Sequence, residues 1–295
     1  VAYNHLHHLG LGYHTDAGGV YQFGPLNTHI HHNLIHDTVA YPYICGYGGI
    51  YLDEQSRGAR VENNLVYNVA WFAYFQHWGQ ENVFRNNIGA FARDGLFARG
   101  GLNAQRKVNH CEFFRNLYVG RDAVAIRSPM PPGDRPPVVR DNMYFRMGPD
   151  AEMTFGGKSF AEWQKEGLDA GSAVADPGFR DPANLDFSLR PDAPAVKDVG
   201  FVPFDAEIRK AGRYGDPAWT ALQPKCPPRE PSPAWTSEDL LRLRTFSLDF
   251  ENTPDGTELT QMSLAHAGEA TFAVTSEAGC NSRKSLKCVD RKGLA

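Results

Sequence analysis

The sequence predicts an all-β chain wound as a right-handed, single-stranded parallel β-helix, a solenoid in which each coil stacks its inward residues on the next. Three observations carry that expectation. An asparagine recurs with apolar residues at fixed offsets, short β-branched and aromatic runs alternate with Gly and Asn, and helical periodicity is almost absent.

The asparagines are Asn4, Asn33, Asn64, Asn87, Asn116 and Asn142, separated by 29, 31, 23, 29 and 26 residues. Three positions before them stand Val1, Ile30, Val61, Phe84, Phe113 and Val139, an unbroken apolar column. One position after them stand His5, Leu34, Leu65, Ile88, Leu117 and Met143. Asn suits a tight corner because it tolerates the left-handed backbone conformation and its amide can bond the neighbouring coil.

Beyond Asn142 the texture changes. Ser159 and Glu162 form a capping-box pattern that opens one short helix ending at Gly167. Turn-rich strands over 173–220 are expected to close the open end of the solenoid, giving a first domain over 1–220. Five prolines between positions 224 and 235 mark a stiff linker placed at 221–244. Residues 245–295 read as the opening strands of a β-sandwich with too few residues for both layers, so the chain is expected to start mid-coil and stop mid-domain.

The bulk numbers limit the partners. With 295 residues and a net charge of −4, the chain has no basic surface for nucleic acid or an anionic membrane, and no 18-residue apolar helical span. No basic-then-apolar leader is present. Five cysteines show no metal-finger spacing; Cys280 and Cys288 are the pair close enough to suggest a bridge, and the odd count leaves at least one thiol free.

One phrase is written twice, as Gly18-Gly19-Val20-Tyr21 and as Gly48-Gly49-Ile50-Tyr51. In a stacked solenoid these are consecutive rungs about 4.8 Å apart. Counting back from Asn64 and Asn87 pairs Tyr51 with Tyr74, Leu52 with Phe75, Asp53 with Gln76 and Glu54 with His77. Alternation then turns Tyr51 and Asp53 outward, beside a glycine strip free of side chains. Such a groove, edged by tyrosines and carboxylates, suits sugar rings. Asp53 and Asp16 are the candidate acid and base or nucleophile, with Glu54 and His77 as further catalytic candidates. Bringing Asp16 near Asp53 needs a bend at Gly18-Gly19. Tyr21, Tyr51, Tyr74, Gln76, Trp78, His14 and Arg99 are candidate substrate contacts.

Eight of the 11 histidines fall in the first 36 residues. Offsets place His31, Glu62 and Arg85 in one outward column and His7, His36 and Tyr67 in another, ladders that need no metal, so neither metal nor cofactor is expected. A polysaccharide lyase on the same fold would use a basic residue, Arg93, Arg99 or Arg106, usually with Ca²⁺, and no acidic Ca²⁺ cluster accompanies them. A non-catalytic glycan-binding solenoid is the third reading.

The phrases T-D-A-G-G-V-Y, G-G-I-Y-L-D-E, F-Q-H-W-G-Q-E-N-V-F-R-N-N-I and the D-P-G-F…F-S-L-R-P close resemble the secreted bacterial right-handed parallel β-helix proteins that include glycoside hydrolases of the α-L-fucosidase and xylanase type. The resemblance covers roughly residues 1–220 and departs after Asn87. It implies hydrolysis of a polysaccharide or oligosaccharide and a secreted or periplasmic location; a monomer is expected. In that family two aspartates about forty residues apart form the proposed catalytic pair, matching Asp16 and Asp53.

Overall fold

A computed structural model of the chain describes residues 1–10, 14–40, 45–100, 110–121, 124–126, 137–148, 152–213, 271–275 and 285–289. It is a parallel β-solenoid of about five turns. Each coil visits three sheets in turn. A seven-stranded sheet begins with His5–Leu9, Leu34–Thr38, Leu65–Tyr67 and Ile88–Ala90; a six-stranded sheet begins with Ala17–Gln22, Tyr47–Leu52, Phe72–His77 and Gly95–Gly100; a five-stranded sheet begins with His29–His31, Arg60–Glu62 and Asn82–Arg85. All pairing within these sheets is parallel.

Apart from Val1, which is 55% exposed, the expected apolar column is the core of the solenoid. Ile30, Val61, Phe84 and Phe113 are fully buried and Val139 nearly so, each facing its counterpart in the next coil. The column after each asparagine behaves differently. Ile88, Leu117 and Met143 face out of the solenoid and are buried under Phe179, Phe187, Leu189, Phe201 and Phe204. The closing segment therefore lies along one flank rather than across the end. The reason is apolar area: an outward row of Leu, Ile and Met needs cover. The end is filled instead by Phe155, Trp163 and Leu168, which join the interior core. Trp163 belongs to the helix Phe160–Lys165, which opens with the expected capping box between Ser159 and Glu162.

The asparagines form an internal ladder. The backbone N–H and side-chain amide of Asn33 donate to Oδ1 of Asn64 at 3.0 and 2.9 Å, and Asn64, Asn87 and Asn116 repeat this toward the next coil. The left-handed residue at each corner is not this asparagine but the one before it, His32, Asn63, Asn86, Arg115 or Asp141. The asparagine is there for its amide, which satisfies buried backbone groups at the corner.

The six-stranded sheet is bent. Ala73 and Tyr74 are consecutive and both belong to the interior core, as do Leu96 and Phe97, whereas the flanking Phe72, Phe75 and Ala98 pack on the outer face. In the first two coils the inner corner is glycine. A Cβ on Gly19 would come within 2.5 Å of Ile35 Cγ2, and one on Gly49 within 2.3 Å of Val66 Cγ1. The outer face folds inward accordingly: Gly18 pairs with Gly48, yet a Cβ on Gly18 would lie 3.2 Å from that of Tyr51, three residues further on. A straight strand would separate those positions by about 10 Å. The doubled glycine pair thus makes a crease.

The chain divides into two compact units, Val1–Leu240 and Leu241–Ala295. In the second, Thr271–Thr275 pairs antiparallel with Ser285–Val289. The Pro-rich linker at 221–244, the sandwich reading of 245–295, the strands expected beyond Arg213 and the Cys280–Cys288 bridge lie outside the described residues. Cys45 and Cys111 are free.

Candidate functional site

The crease of the six-stranded sheet gathers most of the expected site residues, with one change of register. Tyr74 pairs with Ile50 and Gln76 with Leu52, one residue away from the register that counting from the asparagines predicts. The extra residue sits in the turn after Asp53. Leu52 pairs with Gln76 and Arg57 with Gln80, leaving four residues between on one coil and three on the next. Gln55 absorbs it with φ of 65°.

A slip of one residue moves every side chain to the other face. Tyr74 is therefore inside, fully buried, its hydroxyl donating to the carbonyls of Asn64 and Ile88 at 3.1 and 2.9 Å. Gln76 is inside too, accepting from the Asn82 amide at 3.0 Å. Arg99 pairs with Gln76 and is 1% exposed. None of these three reaches the crease, which removes them as substrate contacts. The same slip puts His77 outward, beside Asp53.

Asp53 is the centre of the site. Its Oδ2 accepts from Tyr21 Oη at 2.5 Å, and its Oδ1 lies 2.8 Å from His77 Nδ1. Three successive coils supply the three groups. Burial alone would raise the Asp53 carboxyl, but the hydrogen bonds from Tyr21, His77 and the Glu54 backbone outweigh it and hold the carboxyl below its ordinary value. The Tyr21 hydroxyl is pushed up to about 12, chiefly by its bond to Asp53. Burial first, then the Asp16 and Asp53 charges, drive the Tyr51 hydroxyl far up.

His77 stacks on Trp78, ring centroids 4.3 Å apart, and Trp78 takes a left-handed backbone, φ 54°, that turns it back over the imidazole. Gly100 leaves room for this pair: a Cβ there would lie 2.8 Å from the Phe75 ring and 3.5 Å from His77. Asp53, Glu54 and His77 each place one ligand atom within 4.8 Å of the others, a spacing one cation can bridge. Both Asp53 oxygens already hold proton donors, which suits acid-base chemistry better.

Asp16 enters from the other end of the crease. It precedes the strand Ala17–Gln22 with φ of 53°. Burial, then Asp16, raise the Cys45 thiol to about 11, and Asp53 adds to the shift. The Asp16 and Asp53 charges thus act on the same three groups, Tyr21, Tyr51 and Cys45. Among the described residues, no lysine or arginine is a named cause of the shifts of Tyr21, Tyr51, Cys45 or Asp53. His14 is exposed two residues before Asp16.

The crease is not the bare strip that the glycines predict. Trp71, Phe72, Phe75 and Ala98 fill it around Tyr51, which is only 2% exposed. The Trp71 ring lies 5.6 Å from that of Tyr51 and 4.6 Å from that of Phe75. Trp71 and Cys45 could not be found by reading the repeated phrase, because both lie in the connections before the strands. The accessible aromatic surface is Tyr21 at 46% and Phe23 at 57% exposure. Comparison with family models, curated proteins and solved structures found no match for this chain.

Proposed function

We propose that the crease cleaves glycosidic bonds of a glycan, with Asp53 and Asp16 as the carboxyl pair. The supporting observation is that Asp53 is held by Tyr21 of the preceding coil and His77 of the next, while Asp16 heads the strand Ala17–Gln22 that pairs with Tyr47–Leu52 just before Asp53. Glycoside hydrolysis requires two carboxyl groups flanking the scissile bond. Asp53, kept ionised by Tyr21 and His77, serves as nucleophile or base, and Asp16 supplies the second carboxyl. Tyr21 and Phe23 offer exposed rings on which a sugar can stack.

The lyase reading fits less well. Arg99 is enclosed in the interior, Arg93 is paired with Asp94 at 2.9 Å, and Arg106 lies outside the described residues. A site whose resolved charges are carboxylates also disfavours a uronate substrate. The test is Asp53→Asn, assayed on a polysaccharide panel for reducing ends and for unsaturated-uronate absorbance together. Loss of reducing-end release by about 10²–10⁴-fold with an unchanged circular dichroism spectrum is expected. Undiminished turnover, or unsaturated products in the wild type, overturns the assignment.

A further inference from the structure

Outside the crease, four histidines of the first two coils meet on the outer face of the seven-stranded sheet. His5 and His7 project from one strand, His36 from the next, with His7 and His36 directly in register. Nε2 of His5 and Nε2 of His36 lie 2.7 Å apart. The His7 ring stands 4.6 Å from that of His5 and stacks parallel on His36 at 5.3 Å. His8 breaks the alternation with φ of 56° and brings its Nδ1 to 2.8 Å from that of His7.

We propose that His5, His36 and their neighbours His7 and His8 bind one divalent transition-metal ion of the zinc, nickel or copper type, with the His5 and His36 Nε2 atoms as the primary ligands. The orientation of His36 carries the argument. Its Nδ1 lies 2.9 Å from Oδ2 of Asp37, a carboxylate 1% exposed whose other oxygen accepts from the Asn68 amide. The carboxylate fixes the proton on Nδ1 and leaves the Nε2 lone pair aimed at His5. A buried carboxylate behind the imidazole is the arrangement that orients metal-ligating histidines.

The distances fit. Two nitrogens at 2.0–2.1 Å from a tetrahedral zinc are about 3.3 Å apart, so the pair has to open by only about half an ångström. A third nitrogen comes from His7 by rotation of a ring already beside His5, with His8 next to it. All four residues are partly buried, and 12% of the His36 side chain is exposed. Imidazoles without carboxylate ligands select zinc, nickel or copper over calcium and magnesium.

The experiment uses the full chain without a polyhistidine tag, stripped with chelator and titrated with ZnCl₂ by calorimetry and with CoCl₂ by visible absorption. One equivalent bound in the micromolar range or tighter is expected, with at least tenfold weakening in both His36→Ala and His5→Gln. His77→Ala and His31→Ala, which alter histidines outside this cluster, should leave binding unchanged. Should His36→Ala fail to fold, His5→Gln decides, since it retains shape and one polar atom. Absence of wild-type binding below about 1 mM overturns the proposal, as does binding that survives His5→Gln or is lost in His77→Ala or His31→Ala. The proposal does not depend on glycan hydrolysis.

Discussion

The Tyr21 hydroxyl donates to Oδ2 of Asp53 across 2.5 Å, joining residues 32 apart in the chain and one coil apart in the solenoid. This bond works against burial at the same carboxyl. Asp53 therefore contributes stability above its unfolded value, near pH 4, and that contribution is lost as pH falls through its lower folded value. Tyr21→Phe removes one donor while keeping the ring. The acid limb of the kcat/KM profile should move to higher pH, and kcat should fall about tenfold or more. An unmoved acid limb would separate Asp53 from the rate-determining chemistry.

Phe23 is the most exposed ring at the crease and bonds nothing there. If it serves as a stacking platform, Phe23→Ala should raise KM by about 5–10-fold with kcat little changed, the signature of lost uniform binding. Initial-rate kinetics over a range of oligosaccharide concentrations would measure both constants.

Gly49 stands where the six-stranded sheet bends, with Val66 Cγ1 at 2.3 Å and the Ala73 carbonyl at 2.5 Å from any Cβ. Gly49→Val should destabilise the solenoid by about 1–3 kcal/mol, since the fill on the inner side is backbone and branched side chain with no slack. Denaturant titration would show it as a lower midpoint.

Asn64 lies mid-ladder, accepting from Asn33 and donating to the carbonyls of Ile30 and Glu62 and to Oδ1 of Asn87. Asn64→Ala leaves several buried groups unpaired, at about 1–3 kcal/mol for each such group. The melting temperature should drop steeply, and surface Asn184→Ala should not change it.

How much of this was legible follows from what fixes each contact. The core column and the asparagine ladder repeat at constant offset because the corner between the five- and seven-stranded sheets has constant length. Counting from Asn64 and Asn87 fails at Asp53 because the turn holding Gln55 has one residue more than its counterpart. Nothing in the composition of Glu54-Gln55 marks it as longer. That single residue moved Tyr74 and Gln76 inside and brought His77 onto Asp53. The contact between His5 and His36 was missed for another reason: offsets match His36 to His7, and the bond runs diagonally to the residue two before.

Asp169 offers a test by pH. It is fully buried and accepts from Trp163 Nε1 at 2.7 Å, Ser172 Oγ at 2.6 Å, Asn142 Nδ2 at 3.1 Å and Tyr144 Oη. Burial raises its carboxyl in spite of these donors. A raised folded value gives stability that is complete below the unfolded value and declines as pH rises through the folded one. Asp169→Asn should flatten that decline. It should also cost about 1–3 kcal/mol at low pH, because the amide nitrogen cannot accept from the donors now around that oxygen. Thermal melts of both proteins across the acid range would resolve the two effects.

The ladder is also directional. Every rung from Asn4 to Asn142 gives its protons toward the later coil, and the run ends on Asp169, whose carboxyl oxygens accept from Asn142, Trp163, Ser172 and Tyr144. The solenoid thus carries a one-way relay with a stop built in at one end. Any coil between Asn4 and Asn142 presents one oxygen to its predecessor and one amide to its successor, so removing or duplicating a whole coil leaves every rung matched. Length can therefore vary within the relay, whereas a coil added past Asp169 would meet a rung with no amide to donate.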